Sequence, residues 1–227
     1  SGLTVTSAGA DSLDVSFTDP NNAGAYFVRY QASGGVLDTL SPNPTTTSFG
    51  IGGLTANTSY TVEVLSLCTG GDSSSALTGT ATTDCGAITT FPYNEPFTAG
   101  SSSINCWSTI NGGGSGTWGI GAVTVDGVTY SGYAGIGYEG AQHDDYLVSP
   151  QWNIVAGTSD RVTFSAYNRS ANYPELFDVL LSTTGTDSTD FTNVTASNQL
   201  STPSGQFNSF SYDLTSYAGS DVYLALY

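Results

Sequence analysis

Asp144-Asp145-Tyr146-Leu147-Val148-Ser149-Pro150 sets two adjacent carboxylates directly before a short apolar run that stops at a proline. Tyr-Leu-Val held between acids and a Ser-Pro pair reads as a strand ended by a turn residue. Few cations stand ready for the acids at its mouth. The whole chain carries three basic residues, Arg29, Arg161 and Arg169, against nineteen acids. The balancing positive charge has to come from elsewhere.

Outward from this stretch, strand-like runs recur at 122–125, 161–166, 177–181, 207–212 and 222–226. Many short strands with turn-rich connections predict a two-sheet jelly roll. Toward the N-terminus the pattern is a cleaner alternation: Leu13-Asp14-Val15-Ser16-Phe17, then Tyr26-Phe27-Val28-Arg29-Tyr30, then Tyr60-Thr61-Val62-Glu63-Val64. Period two bounded by Gly, Pro, Asn and Asp predicts half-buried antiparallel strands, and no stretch carries a convincing helical repeat. The fold class is therefore all-β. Character changes around Cys85, giving a first domain over 1–84, a linker over 85–90 and a second domain over 91–227.

The 227 residues carry a net charge of −16, split as −6 over residues 1–84 and −10 over the rest. Such a surface repels nucleic acid and anionic membrane, and suits both solubility in a salty exterior and divalent-cation binding. No apolar run approaches the roughly 18 residues of a membrane-crossing helix, so membrane insertion is not expected. A charged segment followed by an apolar one, as in a signal peptide, is missing too. The chain reads as a segment of a longer protein whose targeting signals lie outside it.

Several of these segments share an order: Tyr93-Asn94-Glu95-Pro96-Phe97, Cys106-Trp107, the Asp-Asp stretch, 161–166, Glu175-Leu176-Phe177-Asp178-Val179, then Ser211 to Gly219 leading into Val222-Tyr223-Leu224-Ala225-Leu226. From about Pro92 onward the set resembles the cleaved-adhesin or choice-of-anchor J family, bacterial extracellular jelly rolls related in shape to MAM domains. Leu54-Thr55-Ala56-Asn57-Thr58-Ser59-Tyr60, with Val62 and Val64, resembles the tyrosine-corner segment of a fibronectin type III domain, with Phe17 where that family usually has Trp. These resemblances imply a fibronectin type III-like β-sandwich followed by a jelly-roll β-sandwich, secreted or on a bacterial cell surface. They imply a final acid-rich strand that would follow Tyr227: either the sequence stops before that strand, or the strand is supplied from elsewhere, for which strand addition by a neighbouring chain is the possible self-association.

The cleaved-adhesin resemblance further implies a structural calcium site. Glu95, as the first strand's acid, and Asp145 match its motif positions, and Asp144 and Glu139 complete the candidate set. Calcium takes six to eight oxygen ligands, which carboxylates and loop carbonyls supply.

Cys68, Cys85 and Cys106 have no metal-ligand spacing. If residues 60–68 and 76–83 pair as a hairpin, Cys68 and Cys85 lie at opposite ends, roughly 30 Å apart. A disulfide needs α-carbons within about 7 Å. Cys85 to Cys106 is the expected bridge. It closes a loop of about 20 residues, contributes on the order of 3 kcal/mol and leaves Cys68 free.

No catalytic residue is assigned. His143 is the one histidine, and its place beside Asp144 and Asp145 in sequence is no triad. A Gly-x-Ser-x-Gly elbow is absent, no carboxylate pair is distinguished as a glycosidase would need, and the Gly112 to Gly116 run lacks the lysine of a phosphate loop. Trp107, Trp118 and Trp152 read as packing residues rather than a sugar platform.

The leading expectation is a non-catalytic adhesion module in which a fibronectin-like spacer presents a jelly roll to protein or glycan. The alternatives are a structural repeat of a surface filament and an accessory region of a secreted peptidase or polysaccharide hydrolase. Asp11-Ser12-Leu13, Asp38-Thr39-Leu40 and Asp187-Ser188-Thr189 resemble a bacterial O-glycosylation pattern, which makes Ser12, Thr39 and Ser188 candidate acceptors. Asn57, Asn168 and Asn193 head Asn-x-Ser/Thr sequons.

Overall fold

Leu13, Val15 and Phe17 turn inward while Asp14 and Ser16 face solvent, as the two-residue repeat of an extended chain requires. The computed structural model describes residues 2–68, 70–113, 116–125, 128–137, 143–168, 172, 175–194, 198–200 and 206–227. It divides into two compact units, Ser1–Gly86 and Ala87–Tyr227.

Seven strands build the first unit: β1 (Thr4–Gly9), β2 (Ser12–Ser16), β3 (Tyr26–Ala32), β4 (Leu37–Thr39), β5 (Ser48–Gly52), β6 (Ser59–Ser66) and β7 (Leu77–Thr82). Antiparallel pairing orders them β1-β2-β5 in one sheet and β4-β3-β6-β7 in the other. Between the sheets lie Leu13, Val15, Tyr26, Val28, Ile51, Val62 and Val64, none more than 2% exposed. Each such side chain contributes about 1.5–3 kcal/mol by leaving water. Tyr60 puts its ring into this core, and its hydroxyl accepts the Thr55 N–H at 2.9 Å. That bond pins the turn entering β6, as a tyrosine corner does. Phe17 fills its place with help from neighbours, meeting Tyr26 edge-on at 4.8 Å and Phe49 at 6.3 Å. In the β6–β7 hairpin Cys68 sits in the connecting turn, its N–H donating to the Asp72 carbonyl at 2.8 Å.

The second unit contains β8 (Ser108–Ile110), β9 (Gly119–Val125), β10 (Val128–Gly135), β11 (Tyr146–Val148), β12 (Trp152–Asn153), β13 (Arg161–Ala166), β14 (Glu175–Phe177), β15 (Val179–Ser182), β16 (Thr192–Asn193), β17 (Asn198–Leu200), β18 (Asn208–Asp213) and β19 (Asp221–Leu226). Its main sheet runs β16-β15-β19-β11-β8, with β12 also paired to β19, and the ladders β9-β10, β13-β18 and β14-β17 complete the jelly roll. Val162, Phe164 and Tyr212 from the β13-β18 ladder pack against Trp152, Ile154, Leu181, Val222 and Leu224, closing one layer over the other. Ser149 explains how β11 can end in Ser-Pro without losing a bond. Its N–H donates to the Leu224 carbonyl at 2.8 Å, and its hydroxyl accepts the Leu224 N–H at 2.9 Å.

Two expectations are corrected. Glu95 is not on a strand, because residues 93–98 have no ladder partner and Phe97 adopts φ 51°. The predicted strand at 177–181 is interrupted at Asp178, which leaves β14 and β15 as separate strands. Asp178 exchanges backbone hydrogen bonds with Tyr227 at 2.9 and 3.0 Å instead.

Candidate functional site

At the mouth of β11 the two acids part company, because neighbouring residues on an extended chain face opposite ways. Asp144 faces solvent and accepts the Tyr227 hydroxyl at 2.8 Å. Asp145 faces inward, with its side chain 0% exposed. Its Oδ2 lies 3.1 Å from His143 Nδ1, a bond the Nδ1–H tautomer donates. Its carbonyl accepts Trp118 Nε1 at 3.3 Å. Its Oδ1 is buried and accepts no hydrogen bond among the described residues. Such an oxygen carries a desolvation cost of about 1–3 kcal/mol, and more when charged, unless something fills the place of the lost water. Gly112 packs close beneath this corner, where a Cβ would collide with the Asp144 carbonyl.

Glu95 has a different setting. Its Oε1 accepts the Phe97 N–H at 2.8 Å, while Oε2 accepts the hydroxyls of Tyr93 at 3.2 Å, Ser101 at 3.0 Å and Ser103 at 2.6 Å. These local donors hold the chain in a loop and compete with strand pairing, which accounts for the missing strand. Tyr93 in turn accepts Trp107 Nε1 at 3.3 Å, and Trp107 packs edge-on against Phe97 at 4.9 Å. Burial, before any neighbouring charge, raises the pKa of the Tyr93 phenol.

The implied calcium can be tested against this donor set. Asp145 fits a hard cation, since it presents a buried carboxylate oxygen without a partner. Glu95 has both oxygens engaged by four donors and shares none of them with Asp145. Among the described residues no group of three or more His, Cys, Asp or Glu side chains is arranged to hold a metal ion. Glu139 lies outside the described residues.

Cys85 and Cys106 are disulfide-bonded, and Cys68 is an exposed free thiol. Of the O-glycosylation candidates, Thr39 on β4 and Ser188 in the 3-10 turn Ser188–Asp190 are exposed, while Ser12 in β2 is half-buried. Of the sequon asparagines, Asn168 is 4% exposed. Trp152 is buried and donates to the Ser159 carbonyl at 3.3 Å. The aromatic residues that do reach solvent are others. Tyr133 and Phe207 are 37% and 48% exposed and form a ring cluster with Tyr167. Sequence reading missed this cluster. Its one signal was that 167 and 207 continue the outward-facing parity of 161–165 and 209–213.

Two β-sandwich modules in series, the second with a buried acid at the mouth of a core strand, define a modular all-β protein. Residues 90–216 match the Cleaved Adhesin Domain family and residues 1–80 match the Fibronectin type III domain. The chain belongs to the Cleaved Adhesin Domain family, preceded by a fibronectin type III domain. Domains of both kinds are generally non-catalytic, and cleaved-adhesin domains are typical of secreted or surface bacterial proteins. The pair makes the chain an adhesion-type module.

Among solved structures, the fibronectin type III domain of human collagen alpha-1(XX) is 28% identical, covering 40% of this chain and 89% of its own, with a TM-score of 0.36. The FN5 domain of Drosophila Lar is 23% identical over 36% of this chain and 91% of its own, at a TM-score of 0.29. A two-domain fibronectin type III segment from chicken tenascin is 13% identical over 98% of this chain and 80% of its own, at 0.37. No curated protein matches the chain. Among the described residues no helix is long and apolar enough to cross a membrane.

Proposed function

We propose that this chain is a non-catalytic recognition module of a larger bacterial secreted or surface protein, in which the fibronectin type III domain acts as a spacer and the jelly roll contacts protein or glycan on a surface. The observation that carries this reading is the cleaved-adhesin match across 90–216. Asp145 is the proposed anchor of a structural calcium. There the ion would supply the positive charge the sequence lacks and stabilise the native state by mass action, with Asp144 as the adjacent acid and Glu95 holding the 93–103 loop. Thr39 and Ser188 are the proposed O-glycan acceptors, and intact mass from the producing cell shows whether they are modified.

The test of the recognition reading is binding of the labelled full chain to bacterial and host cells and to protein-coated and glycan-coated surfaces. Saturable, reversible binding to at least one of them is expected. Non-saturable binding throughout, or turnover of a peptide or glycan by the chain alone, would overturn the reading.

A further inference from the structure

The outward face of the β13-β18 ladder is a row of rungs with one chemistry along its middle and another at its end. Register pairs Arg161 with Asp213, Thr163 with Ser211 and Ser165 with Ser209, and all six residues are exposed. The first rung neutralises itself, since Arg161 Nη2 lies 3.4 Å from Asp213 Oδ2. The next two rungs carry hydroxyls, with Arg161 Nη1 donating to Ser211 Oγ at 3.3 Å and Ser165 Oγ 3.4 Å from Ser209 Oγ.

One rung further on, Tyr167 meets Phe207 edge-on with ring centroids 4.8 Å apart. Tyr133 on β10 lies parallel to Phe207 at 6.0 Å, within 13°, and edge-on to Tyr167 at 6.4 Å. Before the bulge that precedes Ala134, β10 also exposes Thr129 and Ser131, and Thr129 Oγ1 is 2.9 Å from Thr124 Oγ1 of β9. The row from Arg161 to Tyr167 is roughly 20 Å long at the rise of a strand. It is stiffened from below by the Phe164–Phe210 stack at 5.4 Å and the Phe177–Phe210 contact at 4.9 Å.

Resting on the recognition reading above, we propose that this face binds an uncharged polysaccharide, with Tyr133 and Phe207 stacking on sugar rings and the serine and threonine rows engaging sugar hydroxyls. A pyranose ring has C–H faces that suit an exposed aromatic ring, and an edge of hydroxyls that both donate and accept. Serine and threonine side chains do the same. Tyr167, set edge-on to both exposed rings, fixes their orientation at little entropic cost. Charge argues for a neutral ligand, because the Arg161–Asp213 rung is balanced and the chain's net charge of −16 repels polyanions. A protein partner would be expected to meet an apolar centre with a polar rim. Here the middle rungs carry hydroxyls, and the rings stand at one end.

The test is affinity electrophoresis of the full chain in gels containing soluble β-1,3-glucan, xylan, mannan or α-glucan, with polygalacturonate as the anionic comparison. Retardation by at least one neutral polysaccharide is expected. Tyr133→Ala and Phe207→Ala should each weaken it about tenfold or more. Ser165→Glu, which leaves the rings and core untouched, should weaken it too, so a ring variant that fails to fold does not decide the matter. Retardation by no neutral polysaccharide, retention of binding in Phe207→Ala and Ser165→Glu, or retardation by polygalacturonate alone would overturn the proposal. A chain that binds protease-sensitive surface material and no neutral polysaccharide would overturn this site while leaving the recognition reading standing.

Discussion

Asp145→Asn separates a charged ligand from a merely buried acid, because its effect should change sign with calcium. The wild-type carboxylate has a side chain 0% exposed and one oxygen without a partner. In chelator that oxygen costs on the order of 1–3 kcal/mol, and a neutral amide of the same shape lowers the cost. Asp145→Asn is therefore expected to be as stable as wild type in chelator, or more stable by about 1 kcal/mol. With calcium at a hundred times its dissociation constant the wild type gains about 2.7 kcal/mol. For a unit spanning 87–227 this raises the midpoint by roughly 10 °C, taking about 3–5 °C per kcal/mol at that size. The assay is thermal unfolding followed by circular dichroism, with calcium and with chelator, on wild type, Asp145→Asn and Glu95→Gln. Glu95→Gln disturbs a hydroxyl cage, so it should lower the midpoint in both buffers while keeping most of the calcium increment. An absent calcium increment in wild type, or an equal increment in Asp145→Asn, would refute the reasoning.

Other consequences are simpler to measure. Tyr60→Phe removes the hydroxyl that takes the Thr55 N–H and should cost about 1–2 kcal/mol in urea unfolding of the first unit with an unchanged slope. The carboxyl of Asp19 titrates below its ordinary value because of the Ala23 N–H first and the Tyr26 hydroxyl second. Asp160 is lowered chiefly by the Gly157 N–H, and Asp213 by the Thr215 hydroxyl. A folded value below the unfolded one means that each contribution is complete above the unfolded value, about pH 4, and is lost as pH falls through the folded value. Stability measured from pH 6 down to pH 2 should therefore drop on the acid side, and less steeply in Asp19→Asn. Alkylation of the denatured, unreduced chain should add one group, at Cys68, with Cys85 and Cys106 reacting only after reduction.

The parts of the fold that sequence made legible are those where alternation and burial agree. Residues 161–166 alternate cleanly and become β13 with those bounds, and 146–148 become β11. The tyrosine corner was legible too, since a hydroxyl five residues from its partner is a local device. Local devices also misled. Glu95 sits in a run that resembles a strand, yet four donors within eight residues fold the chain around its carboxylate. β10 went unread because Ser131, Gly132 and Gly135 dilute its strand signal, and its order comes from pairing with β9. At the candidate site, the adjacent acids were legible as unbalanced charge. Only three dimensions separate the inward Asp145 from the outward Asp144. The Tyr133–Tyr167–Phe207 cluster draws on β10 and on residues flanking β13 and β18, so no spacing in the chain announces it.

The most direct test of the central claim, that the jelly roll is the recognising half, is to compare the full chain with a segment spanning residues 1–86 in binding to one surface that the full chain saturates. The account predicts that the full chain binds and the first unit alone does not, while each shows cooperative unfolding. Equal binding by the isolated first unit would contradict it and move recognition to the fibronectin type III domain.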